Sequence, residues 1–132
     1  MDREQLRIGS GAGFAGDRWE PAVELVEHGD IDVLAFECLA ERTIARETLA
    51  LRRGDGPGYS PKLEARFRAV LPGCAANGIR VVTNMGAAAP LAAARAACAA
   101  RPPRRPAPAS IARVRGARSF QIGHEPQCKL EL

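Results

Sequence analysis

The chain has 132 residues, which is enough for one small domain and too short for a second. Its formal net charge of +4 is unevenly distributed, because residues 1–100 hold 12 basic and 13 acidic side chains while residues 101–132 hold 7 and 2. A nucleic-acid-binding surface needs a basic stripe, interleaved with aromatic residues, on the folded part. The near-neutral first hundred residues supply no such stripe, so the sequence predicts no nucleic-acid partner.

The cysteines are widely spaced and form no C-x-x-C pair, which argues against a zinc site and a dense disulfide framework: Cys38, Cys74, Cys98 and Cys128. Such cysteine usage fits a reducing compartment. The N-terminus is charged and then glycine-rich, without the apolar run of a signal peptide. No segment reaches the roughly 18 apolar residues of a membrane span. We therefore expect a cytoplasmic protein without membrane partners.

The first strand and helix are separated by glycine. A short strand over residues 6–8 is predicted to run into a glycine-rich loop over 9–13, because a helix would not survive so much glycine. Asp17 and Glu20 then have the spacing of a capping box. A first helix is therefore expected over about residues 18–28.

Strands and helices continue to alternate up to about residue 100. The nearly continuous apolar run at 31–36 is typical of a strand covered on both faces, as in a parallel sheet. A second helix is predicted over 40–52, and a third begins after the cap residue Ser60. A third strand at 79–82 and a fourth helix at 91–100 complete the pattern.

This alternation predicts an α/β fold in which three parallel strands are joined by right-handed crossovers and about four helices pack on the sheet. The pattern does not distinguish an open sheet from the opening units of a barrel. Because three strands make a small sheet, we expect residues 1–100 to be an incomplete portion of a larger α/β domain.

Residues 101–132 have a different composition, with five prolines, six arginines and no sustained apolar period. We expect this basic tail to be disordered. It is either a natural linker or the product of a reading frame lost near codon 100. The second interpretation is favoured because the fourth helix begins well and then gives way to a mixture that no packing requires.

A possible dinucleotide fingerprint follows the first strand. Gly11, Gly13 and Gly16 satisfy G-x-G-x-x-G, and Glu37 follows the next strand at the position of a ribose-binding acid. The literal interpretation is a site for NAD, NADP or FAD. Against it, the predicted helix begins after the third glycine, and Asp17 places a carboxylate where a phosphate should bind. The alternative is a loop that makes a tight turn and a close helix contact.

Polar residues also follow each of the three predicted strands: Ser10 to Asp17 after the first, Glu37, Cys38, Glu41 and Arg42 after the second, and Thr83, Asn84 and Gly86 after the third. The carboxyl ends of parallel strands share one edge of a sheet, where ligands bind in α/β proteins. We therefore expect the loops at Gly13, Glu37 and Asn84 to lie on one rim.

Two of these residues suggest acid–base chemistry. Glu37 and Glu41, if close together, would raise the pKa of one carboxyl group and prepare a general acid or base. The alternatives are that Glu37 caps the second helix or pairs with Arg42, and that Asn84 caps its own turn. Cys38 has no histidine nearby in the sequence and is not expected to be a nucleophile.

Three segments resemble the acyclic terpene utilisation family: RIGSGAGFAGDRWEPAVEL, IDVLAFECLAERTIA and GIRVVTNMGAAAPLAAA. The resemblance runs from about Arg7 to Ala97, with no family-like sequence expected past residue 100. It implies a role in the catabolism of acyclic terpenes such as citronellol and geraniol, or of branched acyl groups carried as coenzyme A thioesters. Family members are several hundred residues long. Ala89 departs from the family pattern, which has asparagine before the proline.

The strand-end positions and the resemblance together give the candidate residues. The catalytic candidates are Glu37, Glu41 and Asp17. The substrate-binding candidates are Gly11, Gly13, Gly16, Arg18, Arg42, Thr43, Thr83, Asn84 and Gly86. No metal ligand is assigned, and no cofactor is identified.

Three hypotheses follow. The first is a piece of a terpene-catabolic protein, inactive alone, whose partner is a small-molecule substrate such as an acyl-CoA. The second is a nucleotide-binding oxidoreductase fragment. The third is a non-enzymatic protein that binds a partner through its basic tail. The reaction, the substrate, metal use and the oligomeric state are not determined by the sequence.

Overall fold

The computed structural model describes residues 5–100 together with the backbone of three later strands at 112–115, 119–122 and 130–131. Strands and helices alternate as predicted, in an α/β arrangement. The strands of the first hundred residues are β1 (Ile8–Ala12), β2 (Val33–Phe36) and β3 (Arg80–Thr83). The helices are α1 (Glu20–His28), α2 (Glu41–Arg53), α3 (Leu63–Asn77) and α4 (Pro90–Ala99).

The sheet has the order β1-β2-β3-β4-β5-β6, with β4 at Ala112–Arg115, β5 at Ser119–Ile122 and β6 at Leu130–Glu131. The first four strands are parallel, and the last two pairings are antiparallel. Ile8 is aligned with Val33, which is aligned in turn with Arg80. The register shifts between Ser10 and Ala12, where β1 bulges.

One layer of helices covers one face of this sheet. Helix α1 packs against α3, and α3 packs against α4. Leu34 and Val81 point into the helix layer and are fully buried. Their neighbours Ala35 and Val82 point to the opposite face and are only half-buried. The hydrophobic core therefore lies between the sheet and the helices α1, α3 and α4.

Glycine ends two of the helices. Gly54 after α2 has φ 72°, and Gly78 after α3 has φ 66°. Both values lie in the left-handed region, which glycine adopts without a steric penalty. Their amides donate back to carbonyls of the last helical turn. These glycines explain why both helix ends fall within one residue of their predicted positions.

Two boundaries differ from the prediction. Strand β1 begins at Ile8 and continues through Gly9 and Gly11, so most of the predicted glycine-rich loop is strand. Glycine suits this strand because a Cβ on Gly9 would lie 2.5 Å from Cδ2 of Leu25, on the helix packed against it. Helix α3 begins at Leu63, and Ser60 instead donates its amide to the carbonyl of Met85 at 2.9 Å.

The sequence predicted no strand beyond residue 100, yet β4 pairs with β3 in parallel, with Val82 aligned with Arg113. The prediction missed β4, β5 and β6 because each has only two to four residues and lacks an apolar period. The predicted disorder of residues 101–132 otherwise falls outside the described residues. Among the described residues, no helix is long and apolar enough to cross a membrane.

Candidate functional site

The three predicted loops lie at one edge of the sheet, as expected. Because β1, β2 and β3 are parallel and adjacent, all three end at this edge, which we call the carboxyl rim; it comprises residues 13–19, 37–40 and 84–89. Backbone hydrogen bonds continue the pairing into the loops. The amide of Glu37 donates to the carbonyl of Ala12 at 3.1 Å, and that of Asn84 donates to Phe36 at 3.4 Å.

Asn84 joins the second and third strand ends through its side chain. Its Nδ2 donates to Oε1 of Glu37 at 2.7 Å, while its Oδ1 accepts the amide of Cys38, also at 2.7 Å. Oε1 of Glu37 also accepts the amide of Leu39 at 3.1 Å. These contacts fix the orientation of the Glu37 carboxylate. The side-chain amide of Asn84 therefore positions Glu37.

The second oxygen of Glu37 is available for chemistry. Glu37 is exposed, and Oε2 makes no hydrogen bond within the described part of the chain. Glu37 does not cap α2, because the N-cap position is Ala40 and carries no side-chain hydrogen bond. Its partners are Asn84 and Leu39 rather than Arg42. A positioned carboxylate with one free oxygen can accept a proton from a bound ligand.

The other candidates after β2 lie farther along the chain. Glu41, Arg42 and Thr43 occupy the first turn of α2, where Glu41 and Arg42 are exposed and Thr43 is half-buried. An acidic side chain in the first turn stabilises a helix through the helix dipole. That local role accounts for Glu41. The described contacts therefore place Glu37, and not Glu41, in the polar cluster with Asn84.

Asp17 organises the loop after β1. Its Oδ2 accepts the amide of Gly13 at 2.7 Å and that of Phe14 at 3.2 Å. The predicted capping box is wrong, because the N-cap of α1 is Trp19 and makes no side-chain cap hydrogen bond. The carboxylate is engaged by the loop's own amides, so it is not free for the helix. Asp17 thus acts here as the residue that closes the loop.

Two basic side chains at the start of α3 donate hydrogen bonds to the carbonyls of the same loop. Nζ of Lys62 donates to the carbonyl of Gly16 at 2.6 Å and to that of Asp17 at 3.3 Å. Nη2 of Arg66 donates to Ala15 at 3.2 Å and to Asp17 at 2.6 Å. Three successive loop carbonyls are therefore bound by two basic side chains one helical turn apart.

Sequence analysis missed Lys62 and Arg66. Arg66 lies on the buried stripe of α3 with Leu63, Phe67 and Val70, and it is completely buried itself. A basic residue on an otherwise apolar helix face is unusual, since charged side chains are almost never fully buried without a partner. That interruption of the apolar pattern was the available signal.

The guanidinium of Arg66 is surrounded by two sulfur atoms and an aromatic ring. Its Nη1 lies 3.1 Å from Sγ of Cys38 and 3.5 Å from Sδ of Met85, and its Cζ is 5.9 Å from the centre of the Phe36 ring. Burial raises the pKa of the Cys38 thiol, while the adjacent Arg66 acts in the opposite direction. Cys38 is only 1% exposed. A protonated, enclosed thiol is a poor nucleophile.

The remaining candidates lie in or near the rim. Gly11 is inside β1, where a Cβ would lie 2.7 Å from Cε1 of Phe36. Gly13 and Gly16 are in the first loop, and Arg18 follows it with an exposed side chain. The hydroxyl of Thr83 is buried and donates to the carbonyl of Phe36 at 3.1 Å. Gly86 is also buried, so Thr83 and Gly86 shape the rim without facing solvent.

Large apolar side chains are exposed on elements attached to this rim: Phe14, Leu49, Leu51 and Leu91. Helix α2 leaves the rim after Ala40, and its following loop returns there, because the amides of Ala88 and Ala89 both donate to the carbonyl of Gly58 at 2.9 and 3.1 Å. Leu91 lies in the first turn of α4. Of these side chains, Phe14 lies in the first rim loop itself.

A cavity of about 320 Å³ lies at the opposite end of the sheet. It is lined by residues that end α1 and α3 and precede β2 and β3: Val26, Glu27, His28, Asp30, Ile31, Asn77 and Ile79. None of the predicted site residues lies in it. Within the described residues, no group of His, Cys, Asp and Glu could hold a metal ion.

The layout differs from that of a dinucleotide-binding fold. Gly11 lies within β1, and α1 begins at Glu20 rather than at the glycine loop. In the dinucleotide fold the fourth strand lies beside the first, whereas here β4 lies beside β3. Pyrophosphate binding by the first loop therefore gains no support.

Fold and site together define an α/β protein with four adjacent parallel strands and a polar cluster of Glu37 and Asn84 at their carboxyl ends. A family model described as acyclic terpene utilisation family protein AtuA matches residues 6–129. The chain belongs to this family, as the three sequence segments indicated. No curated protein and no solved structure matches it significantly.

The extent of the family match corrects one expectation. The match continues to residue 129, whereas the resemblance was expected to end near Ala97. The segment after residue 100 is rich in arginine and proline and contains no short motif that resembles the family, yet the family model aligns it. The match gives no support to a reading frame lost near codon 100.

Proposed function

We propose that the carboxyl rim binds an acyclic terpenoid or branched acyl group as its coenzyme A thioester, and that Glu37 removes a proton from the carbon next to the thioester carbonyl. The chain would then act in cytoplasmic catabolism of compounds such as citronellol and geraniol. Membership of the acyclic terpene utilisation family supports the substrate class. The residue role rests on the chemistry of the rim.

The observation that carries this proposal is the hydrogen bond between Asn84 and Glu37. It links two strand ends and leaves one carboxylate oxygen exposed at the edge where α/β proteins bind ligands. A carboxylate that is held by an amide and open on one side has the arrangement of a general base. The exposed side chain of Phe14, in the first rim loop, offers apolar contact for a hydrocarbon chain.

Proton transfer can be tested by isotope exchange. The full chain is incubated in D₂O with the coenzyme A thioester of citronellic acid, and deuterium at the carbon next to the carbonyl is measured by mass spectrometry. Glu37 accepts the proton, and a deuteron from solvent returns to the same carbon. We expect exchange with the natural chain and a loss of at least about a hundredfold with Glu37→Gln, the usual size of a general-base contribution.

Binding is followed separately by Trp19, the single tryptophan, which ends the rim loop as the N-cap of α1. Glu37→Gln keeps an acceptor oxygen for Asn84, so thioester binding should persist in this variant. Glu41→Gln is the matched control and should retain exchange. Binding without exchange in the natural chain would contradict the role of Glu37.

A further inference from the structure

Lys62 and Arg66 are bound by neutral groups rather than by carboxylates within residues 5–100. In this part of the chain their side-chain donors contact carbonyl oxygens of the first loop and, for Arg66, two sulfur atoms. Within residues 5–100, neither side chain forms a salt bridge with a carboxylate. The nearest acidic side chain of the loop, Asp17, is bound to backbone amides instead.

Arg66 is the more demanding of the two because it is completely buried. Within residues 5–100, its Nε has no hydrogen-bond partner, and its Nη1 contacts the weak acceptors of Cys38 and Met85. Burying a guanidinium without a carboxylate in direct contact is unfavourable. A buried guanidinium that has one unused donor and, among these residues, no salt bridge is complementary to an anion.

The start of α3 adds to this field. Lys62 is the N-cap of this 15-residue helix, and Arg66 lies one turn further. The first turn of a helix carries partial positive charge and unpaired amides, which favour an anionic group. The two side chains converge on the carbonyls of Ala15, Gly16 and Asp17.

We propose that the side chains of Lys62 and Arg66, at the start of α3, form an oxyanion-binding site for a phosphate or carboxylate group of the ligand. In the present structure, the carbonyl oxygens of the first loop occupy the donors that this group would take. The inference rests on the proposed function only in placing a ligand at the carboxyl rim. It adds a negatively charged group to that ligand and assigns its position.

The first loop can release Lys62 and Arg66 without losing its own internal hydrogen bonds. Asp17 ties the loop's amides together from within, so release of the carbonyls from Lys62 and Arg66 leaves the internal hydrogen bonds to Gly13 and Phe14 intact. A ligand oxyanion replaces neutral carbonyls at both cations. The loop carbonyls are neutral acceptors, whereas an oxyanion adds Coulomb attraction between opposite charges to each hydrogen bond, which drives the exchange.

The test is a titration of the full chain by calorimetry with three probes: inorganic phosphate, coenzyme A and citronellate. We expect saturable binding of at least one. Tighter binding of coenzyme A and phosphate assigns the site to the phosphate groups of a carrier, whereas tighter binding of citronellate assigns it to a carboxylate. Absence of saturable binding for all three overturns the proposal.

Variants separate the site from general charge effects. Lys62→Met should weaken binding of the preferred probe at least tenfold, and Arg66→Met should weaken it further if that variant folds. Arg68→Met is the matched control, since Arg68 lies on the same helix but is exposed and paired with Glu64 at 3.3 Å. Equal binding by Lys62→Met and Arg68→Met would show that Lys62 only fastens the loop.

The two proposals fail in different ways. Glu37→Gln should abolish exchange without weakening phosphate or carboxylate binding, because it removes a negative charge and no hydrogen bond to Lys62 or Arg66 in the described residues. Thioester exchange without binding of any anion probe overturns the oxyanion site and leaves the role of Glu37 standing. Anion binding without thioester exchange overturns the role of Glu37 and leaves the oxyanion site standing.

Discussion

Asn84 is the residue on which the geometry of the rim depends. Its side chain satisfies the amide of Cys38 and donates to Glu37, so Asn84→Ala leaves a partly buried amide without its acceptor. We expect a loss of about 1–3 kcal/mol in the free energy of unfolding, measured by urea denaturation. Glu37→Gln is the control and should stay within about 0.5 kcal/mol of the natural chain. Similar stability of both variants would argue against a structural role for Asn84.

Cys74 makes stability depend on alkaline pH. Burial raises its pKa from 9.0 to about 12, so the folded chain keeps this proton where the unfolded chain releases it. Stability from this group is present below pH 9 and is lost as pH rises from 9 toward 12. The loss should reach about 1.4 kcal/mol by pH 10. Urea denaturation between pH 7 and 10 should show a flatter profile for Cys74→Ala, and parallel profiles would contradict this origin.

Among the secondary-structure elements, β1 packs closely against the side chains of α1 and β2 because Gly9 and Gly11 have no Cβ. In Gly11→Ala the new Cβ would lie 2.7 Å from the ring of Phe36, which is itself only 2% exposed. We expect a destabilisation of about 1–3 kcal/mol by thermal or urea unfolding. In Gly13→Ala the nearest atom is Oδ2 of Asp17 at 3.8 Å. This control should be close to neutral, and equal effects of the two changes would rule out the steric explanation.

The sequence predicted those elements whose ends are set by local chemistry. Gly54 and Gly78 stop their helices through their own backbone conformation, so α2 and α3 end where expected. The start of α1 was misread, because Asp17 and Glu20 have capping-box spacing while the carboxylate of Asp17 serves the loop instead. The Asp17 carboxylate could cap α1 or bind the amides of its own loop, and the sequence spacing alone does not decide between these two roles.

The candidate site was predictable in position and not in its contacts. Parallel strands must end at a common rim, so the placement of Glu37 and Asn84 followed from topology. Arg66 reaches the carbonyls of Ala15 and Asp17 across 51 and 49 residues of sequence, and no local pattern reports such a contact. Long-range hydrogen bonds of this kind become visible only when the fold is known.

For the whole molecule, the question is what residues 101–132 contribute. Deleting them removes β4 and turns β3 into an edge strand with unpaired backbone groups beside Val81 and Val82. We expect the fragment 1–100 to aggregate or to be loosely packed, with dye binding and weak near-ultraviolet dichroism. The same deletion does not expose β2, because β2 lies between β1 and β3. A sharp cooperative melt of a monomeric fragment would contradict this prediction.

The sequence and the proposed function predict opposite activities for the isolated chain. The sequence predicts little or no activity, because the site would need residues from elsewhere, whereas the proposed role of Glu37 predicts thioester exchange. Exchange by the natural chain would show that the described rim is sufficient and would overturn the prediction from the sequence.

The order of the strands also bears on how the chain acquires its fold during synthesis. From β1 to β4, each strand pairs with the one made immediately before it, and no gap is left for a later strand to fill. A growing chain can therefore add each strand and its helix to a sheet that already exists on the ribosome. Lys62 and Arg66 precede β3 in the chain, so they can contact the first loop before β3 has joined the sheet. The sheet can thus assemble in the direction of translation, and the contacts of Lys62 and Arg66 with the first loop can form early in this process.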